Sequence, residues 1–433
     1  MFLQVILLCT ILEFLFALYL FKGDILSPAI AFNGIFVLAA MDLLLMQNYW
    51  DVKINSTTLT VILLGTISFT ITSWIVNNTR MPILKINGVS IGSYEDNCNI
   101  SNRFLLFAIV IYVVTILGSI VYVIRNKGLS VALSTLLLNY TKSITAGEKL
   151  DLPAILSISS TFCSTAGYVW GYLLSQNWVI TRKINIKLLL LFALSCLMGI
   201  STGKRGELIA LVASFVVCLI ISLKKNYSRN LSRKLYMTIG SLIILVGLSF
   251  QGIATMMGRD SDLFSPFEYF SIYLGAPILN LNTSIEMNGF RHPVFLSETF
   301  HSLYRSVGEN FGIDKFIYST DRIFFSSPNG KRVGNVATVF FDFYHDGGFL
   351  GVIVLSAIMA IIAQSIYKKI KKGYYKNRMY WTIVYSYIFW LIVRSFFANS
   401  LFDWFTLSSI YTLSLWWTYS IVIPKIKERK RRA

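Results

Sequence analysis

With 433 residues, 55% of them hydrophobic and 14% charged, and a mean hydropathy of +0.63, the chain lies outside the range of soluble domains of its length. Its net charge of +18 does not point to nucleic acid, because the charge is gathered into short loops. Of five cysteines, Cys9, Cys163, Cys196 and Cys218 fall in apolar runs and only Cys98 in a loop, which leaves no disulfide framework and no metal-ligand spacing.

A helix that crosses the roughly 30 Å hydrocarbon layer needs about 17 to 25 apolar residues. In chain order, windows near 1–21, 25–46, 59–76, 104–124, 154–175, 187–202, 208–223, 235–253, 347–367, 379–397 and 404–423 meet that test. The first contains Glu13 and has no positive region before it, so a retained helix is expected rather than a cleaved signal peptide. Residues 128–140 are apolar but short, and leave open a re-entrant segment or a twelfth span.

The expected fold is therefore an all-α polytopic membrane protein of about 11 (11–12) transmembrane helices, with one large, partly helical extracytoplasmic loop. Residues 1–253 form N-terminal membrane helices, 254–346 the loop, and 347–433 C-terminal membrane helices with a basic tail, all as one membrane domain.

Charge sets the expected sidedness. Lys224, Lys225, Arg229, Arg233 and Lys234 have no acid among them, nor do Lys368, Lys369, Lys371, Lys372, Lys376 and Arg378. The tail from Lys425 to Arg432 carries six cations against Glu428 alone. Residues 254–346 hold seven cations and ten acids, a net of −3 against +18 for the chain, so the remainder carries +21. Cationic loops stay cytoplasmic, which places the 254–346 loop outside and the C-terminus inside. The N-terminus is outside with eleven spans and inside with twelve.

A loop of this length rich in aromatics should fold. Residues 264–281 are apolar enough to lie at the membrane interface. Ser297 is a candidate cap for a helix running to about Asn310, with Phe300, Leu303, Tyr304, Val307 and Phe311 on one face. The other face collects Glu298, His301, Arg305 and Glu309. On it a carboxylate can orient an imidazole, with His301 as proton acceptor and Glu298 as its partner. The alternative is a solvated polar face.

Arg205 lies between Gly203 and Gly206 in an outside turn that breaks the charge rule, and its fork-shaped guanidinium suits a phosphate. With Arg259, Arg291 and Arg305 of the loop it forms a candidate anion-binding set. Snorkelling cations and surface arginines paired with loop acids are the alternatives. His292, His345 and Asp346 are further candidates for acid–base work. Asp260 and Asp262 suit a divalent ion less well than a turn, and no metal site is expected. Glu13, Asp42 and Arg394 lie in or near spans, where ionisable groups are costly, but no proton-relay series emerges from the sequence.

Three stretches resemble the Wzy-type oligosaccharide repeat-unit polymerases of bacterial O-antigen and capsule synthesis. They are STGKRGELIALV at 201–212, then FEYFSIYLGAPILNLN at 267–282 followed by FLSETFHSLYRSVGENFG at 295–312, and NVATVFFDFYHDGGFLG at 335–351. The last contains the most specific piece, His345-Asp346-Gly347-Gly348. The resemblance implies a glycosyltransferase of the bacterial inner membrane that needs no cofactor, with a polyprenyl diphosphate-linked oligosaccharide as donor and a second such unit as acceptor. It also implies membrane lipid, a flippase and a chain-length regulator of the same pathway as partners. An O-antigen ligase shares this layout. A lipid-linked oligosaccharide flippase would show repeats, short loops and a polar midplane pathway.

Overall fold

The structure is a computed structural model that describes residues 1–79, 100–127, 153–201, 205–226, 264–287, 294–318, 324–373 and 377–426. Helices follow the apolar runs: α1 Phe2–Leu20, α2 Pro28–Leu45, α3 Ser56–Asn78, α4 Asn102–Lys127, α5 Ala154–Thr181, α6 Ile186–Ser201 and α7 Arg205–Asn226. Then come α8 Pro266–Leu274, α9 Ala276–Glu286, α10 His301–Phe311, the hairpin strands β1 Phe325–Ser326 and β2 Arg332–Gly334, α11 Val339–Lys372, α12 Arg378–Val393 and α13 Leu407–Val422. Among the described residues six helices are long and apolar enough to cross a membrane: α1, α2, α3, α4, α7 and α11. The protein is thus an all-α membrane protein with one two-stranded hairpin. The expected span at 235–253 and the segment 128–140 lie outside the described residues.

Local chemistry fixes the ends. Ser27 precedes α2 with Pro28 in its first turn, where the missing N–H costs nothing. The Asn55 side chain accepts a hydrogen bond from the Thr58 amide at 2.7 Å and caps α3. α11 ends at Gly373 in the left-handed conformation.

The chain forms two compact units, each assembled from distant segments: Met1–Leu84, Phe267–Tyr374 and Ile388–Tyr411 in the first, and Lys85–Pro266, Tyr375–Tyr387 and Thr412–Ala433 in the second. In the second unit, α5 packs on α6 and α7, with the Trp416 indole donating to the Thr165 carbonyl at 3.0 Å.

In the first unit, α1, α2, α3 and α11 surround an aromatic core. Phe32 stacks on Phe69 at 4.2 Å, Phe36 on Phe340 at 5.0 Å, and Phe343 meets Phe402 edge-on at 5.7 Å. Phe340 is seated against Gly65, where an added Cβ would overlap its ring, so α3 has room for α11 only with glycine there.

The two ends of this unit differ. At one end Lys368, 2% exposed, donates to the carbonyls of Val76 at 2.6 Å and of Thr79, a cation on the C-terminal end of α3. Beside it Asp24, in the α1–α2 turn, accepts from Tyr367 at 2.7 Å and pairs with Lys371 at 2.8 Å. At the other end the α2–α3 turn receives α9: Asn282 accepts from the Asn55 amide at 2.8 Å and from Thr58 at 3.0 Å. Asn329 of the hairpin donates to the Tyr49 carbonyl at 2.8 Å. The start of α1 is beside the same turn. We call these the lysine end and the turn end.

Candidate functional site

The site is built where α11 breaks. Gly347 and Gly348 interrupt the helix, and Gly348 has φ +58 and ψ −146, a conformation that side chains other than hydrogen rarely tolerate. The eight residues before the break, Val339 to Asp346, are held from both sides. Asn280 of α9 donates to the carbonyls of Val333 at 3.2 Å and Val336 at 2.7 Å just upstream, and Phe340 fills the Gly65 seat. Asp346 and His345 are thereby presented at the break.

Asp346 accepts from two successive backbone amides, Glu298 at 3.0 Å and Thr299 at 2.7 Å, one on each carboxylate oxygen. This carboxylate organises the turn that precedes α10, in which Leu296 has φ +50. The same turn is held from the α12–α13 connection: Asn399 donates to the Thr299 carbonyl at 3.0 Å, Ser302 to Asp403 at 3.1 Å, and the Leu407 amide to Ser306 at 3.2 Å. Phe300 packs edge-on against Phe402 at 5.3 Å.

His301 opens α10. Its Nε2 is 3.1 Å from the Tyr318 carbonyl, and the two rings are 5.3 Å apart. A carbonyl only accepts, so Nε2 carries the proton and the lone pair of the neutral ring is on Nδ1. The Tyr318 hydroxyl donates to the Ser297 carbonyl at 2.8 Å. Burial, and after it the neighbouring Glu298, Tyr304 and Asp346, push the Tyr318 phenol above its usual range, so it stays a neutral donor. His345 Nε2 is 2.6 Å from the hydroxyl of Ser284, itself 5% exposed, and the His345 ring lies edge-on to Phe341 at 4.5 Å.

The expected residues are placed as follows. The helix starts at His301 rather than after a Ser297 cap, because Asp346 takes the amides that a capping side chain would have satisfied. Glu298 therefore sits in the preceding turn and does not share a helical face with His301 and Arg305. Arg305 pairs with Glu309 at 2.8 Å, with both side chains about half exposed (57% and 52%), as a surface arginine with a loop acid. Arg205 opens α7 in the second unit. Arg259, Arg291, His292, Asp260 and Asp262 lie outside the described residues. Arg394 lies over the rings of Trp390 at 5.9 Å and Phe397 at 4.9 Å. Ser284, Tyr318, Asn399 and Asp403 were not singled out by the sequence, since each acts on a partner at least 17 residues away.

The arrangement can accept a proton at an imidazole of fixed tautomer, beside a carboxylate-organised turn. Among the described residues no group of three or more His, Cys, Asp or Glu side chains converges as a metal site. Compared with protein-family models, curated proteins and solved structures, the chain matches none.

Proposed function

We propose that this protein is a glycosyltransferase of the bacterial inner membrane, a Wzy-type polymerase that joins polyprenyl diphosphate-linked oligosaccharide repeat units at the outer face. The observation that carries the reading is the Asp346 bond to the Glu298 and Thr299 amides. It links two stretches that resemble that family, 295–312 and 335–351, in one organised turn with His301 beside it.

In this reading the acceptor hydroxyl attacks the anomeric carbon of the donor and His301 Nδ1 takes its proton. The bond from that carbon to the diphosphate oxygen breaks, and polyprenyl diphosphate leaves with the electron pair. Of the candidate arginines, Arg291 and Arg305 offset the developing charge without a metal. Glu298, His345 and Asp346 position or replace the base. The turn end faces outward and the lysine end and C-terminal tail face the cytoplasm, as the loop charges require. Met1 at the turn end supports eleven spans.

The test is the lipid-linked intermediates of a strain lacking the protein. A polymerase defect leaves single repeat units on the acceptor core, whereas a ligase defect leaves long chains on the lipid carrier. A base contributes about 10² to 10⁴ in rate, so His301→Ala at matched protein levels should accumulate single-repeat product. Long polymer made within a few fold of the parental rate would remove His301 from the mechanism.

A further inference from the structure

The turn end of the first unit carries a recess that the proposed reaction does not use. It lies between the start of α1 and the α2–α3 turn, encloses about 400 Å³, and has Phe2, Gln47, Asn48, Asp51, Val52 and Lys53 in its wall. That volume falls within the roughly 300 to 1,000 Å³ of small-molecule sites. The turn has a fixed shape: Asp51, with φ 49 and ψ 49, ends the short helical segment Gln47–Trp50 in the left-handed conformation. The Val52 amide then donates to the Gln47 carbonyl at 2.9 Å and closes it.

The wall combines three kinds of chemistry. Asp51 and Lys53 pair at 3.2 Å and cancel in charge, so the recess favours neither an anion nor a cation. The carboxamides of Gln47 and Asn48 each present donors and an acceptor, and the described residues give them no hydrogen-bond partner. Phe2 and Val52 add apolar surface. A ligand that is uncharged, carries closely spaced donors and acceptors and has a C–H face beside them is a saccharide.

The recess is joined to the proposed active site through α9. Asn282 donates to the Lys53 carbonyl at 3.2 Å and accepts from the Asn55 amide at 2.8 Å. Two residues further on, the Ser284 hydroxyl is 2.6 Å from His345 Nε2. Positions two apart on an α-helix differ by about 200° around its axis, so the recess wall and His345 lie on opposite sides of one helix, about 10 to 12 Å across with its side chains. A few sugar rings span that distance.

We propose that this recess is a binding subsite for a saccharide unit of the growing glycan, a short way along the chain from its reacting end. The class of ligand rests on the wall chemistry, and its assignment to the growing glycan rests on the polymerase reading. A chain held there stays close to the site after each transfer, which raises its effective concentration for the next addition and lengthens the product.

The test uses the full-length protein in lipid nanodiscs, with fluorescently labelled two-repeat fragments of the source strain's own surface polysaccharide as the probe and anisotropy as the readout. Gln47→Ala combined with Asn48→Ala should weaken binding roughly tenfold or more, the change expected for two lost hydrogen-bonding groups. Asn48→Trp, which obstructs the recess from an exposed position, should weaken it as well and decides the matter if the double variant fails to fold. In cells at matched protein levels the double variant should make shorter polymer, in contrast to the single-repeat product expected of His301→Ala. Fragments that do not bind the parent, or that bind the variants as tightly, would overturn the proposal, as would polymer of parental length from a variant that has lost binding. Unaltered polymer in a strain lacking the protein would instead remove the polymerase reading, and the nanodisc titration, which needs no turnover, would still decide the saccharide site.

Discussion

At the scale of single residues, Asp346 shows how one carboxylate can organise a turn far from it in sequence. Its two oxygens replace a helix cap for the turn before α10, so removing it leaves two amides unpaired in a partly buried place. Each such loss costs about 1 to 3 kcal/mol, reduced where water reaches the amide. Asp346→Ala should therefore lower the melting temperature in detergent and speed proteolytic cleavage within 294–318, and Asp346→Asn, which keeps one acceptor oxygen, should fall between. A cleavage rate equal to the parent's would mean that the turn is held by Asn399, Ser302 and Ser306 without it. The His301 tautomer belongs to the same scale: the Tyr318 carbonyl selects it, and no pattern around position 301 announces a partner 17 residues on.

At the scale of elements, the Gly65–Phe340 contact decides how closely α11 approaches α3. Gly65→Ala forces the ring to move, and overpacking of this kind costs about 1 to 3 kcal/mol. Phe340→Leu alone should also destabilise, through lost contacts in the aromatic core. The double variant should be less unstable than the two losses summed, because the smaller side chain admits the new methyl group. Additive losses in thermal unfolding would mean that the seat is not shared. The helices themselves were legible in the sequence, since apolar runs of spanning length have no other stable form in lipid. The start of α10 was not, because the turn before it is held by Asp346, 47 and 48 residues from the amides it binds. Hydropathy likewise marked α11 as a late span from 347, without the eight residues before the break, of which Val339 to Phe343 are buried. Their apolar side chains and paired glycines are equally those of an aqueous turn. The candidate site was half legible: its segments stood out by motif, while the hydrogen bonds joining them depend on packing.

At the scale of the whole molecule, the first unit has chemically distinct ends, and the proposed sidedness puts the end that holds the lysines on the cytoplasmic face. Single cysteines at Lys22 and Lys372 should react with an impermeant maleimide only after the inner face is opened, and those at Asn48 and Asn329 in intact cells. If Asn329→Cys required opening as well, the proposed active side would be wrong. The uninterrupted part of α11 has one more consequence. From Phe349 to Lys372 the helix rises about 36 Å, with Lys368 tied to the end of α3 at its foot and Asp346 at its head. It is a ruler of fixed length laid across a solvent of variable thickness. In bilayers much thinner or thicker than about 30 Å of hydrocarbon, the helix must tilt or the lipid must deform, and Asp346 and His345 then change height relative to the head groups. Turnover in vesicles of graded acyl-chain length should pass through a maximum, with the optimum shifted to thinner bilayers when one helical turn is deleted between Ile353 and Ile361.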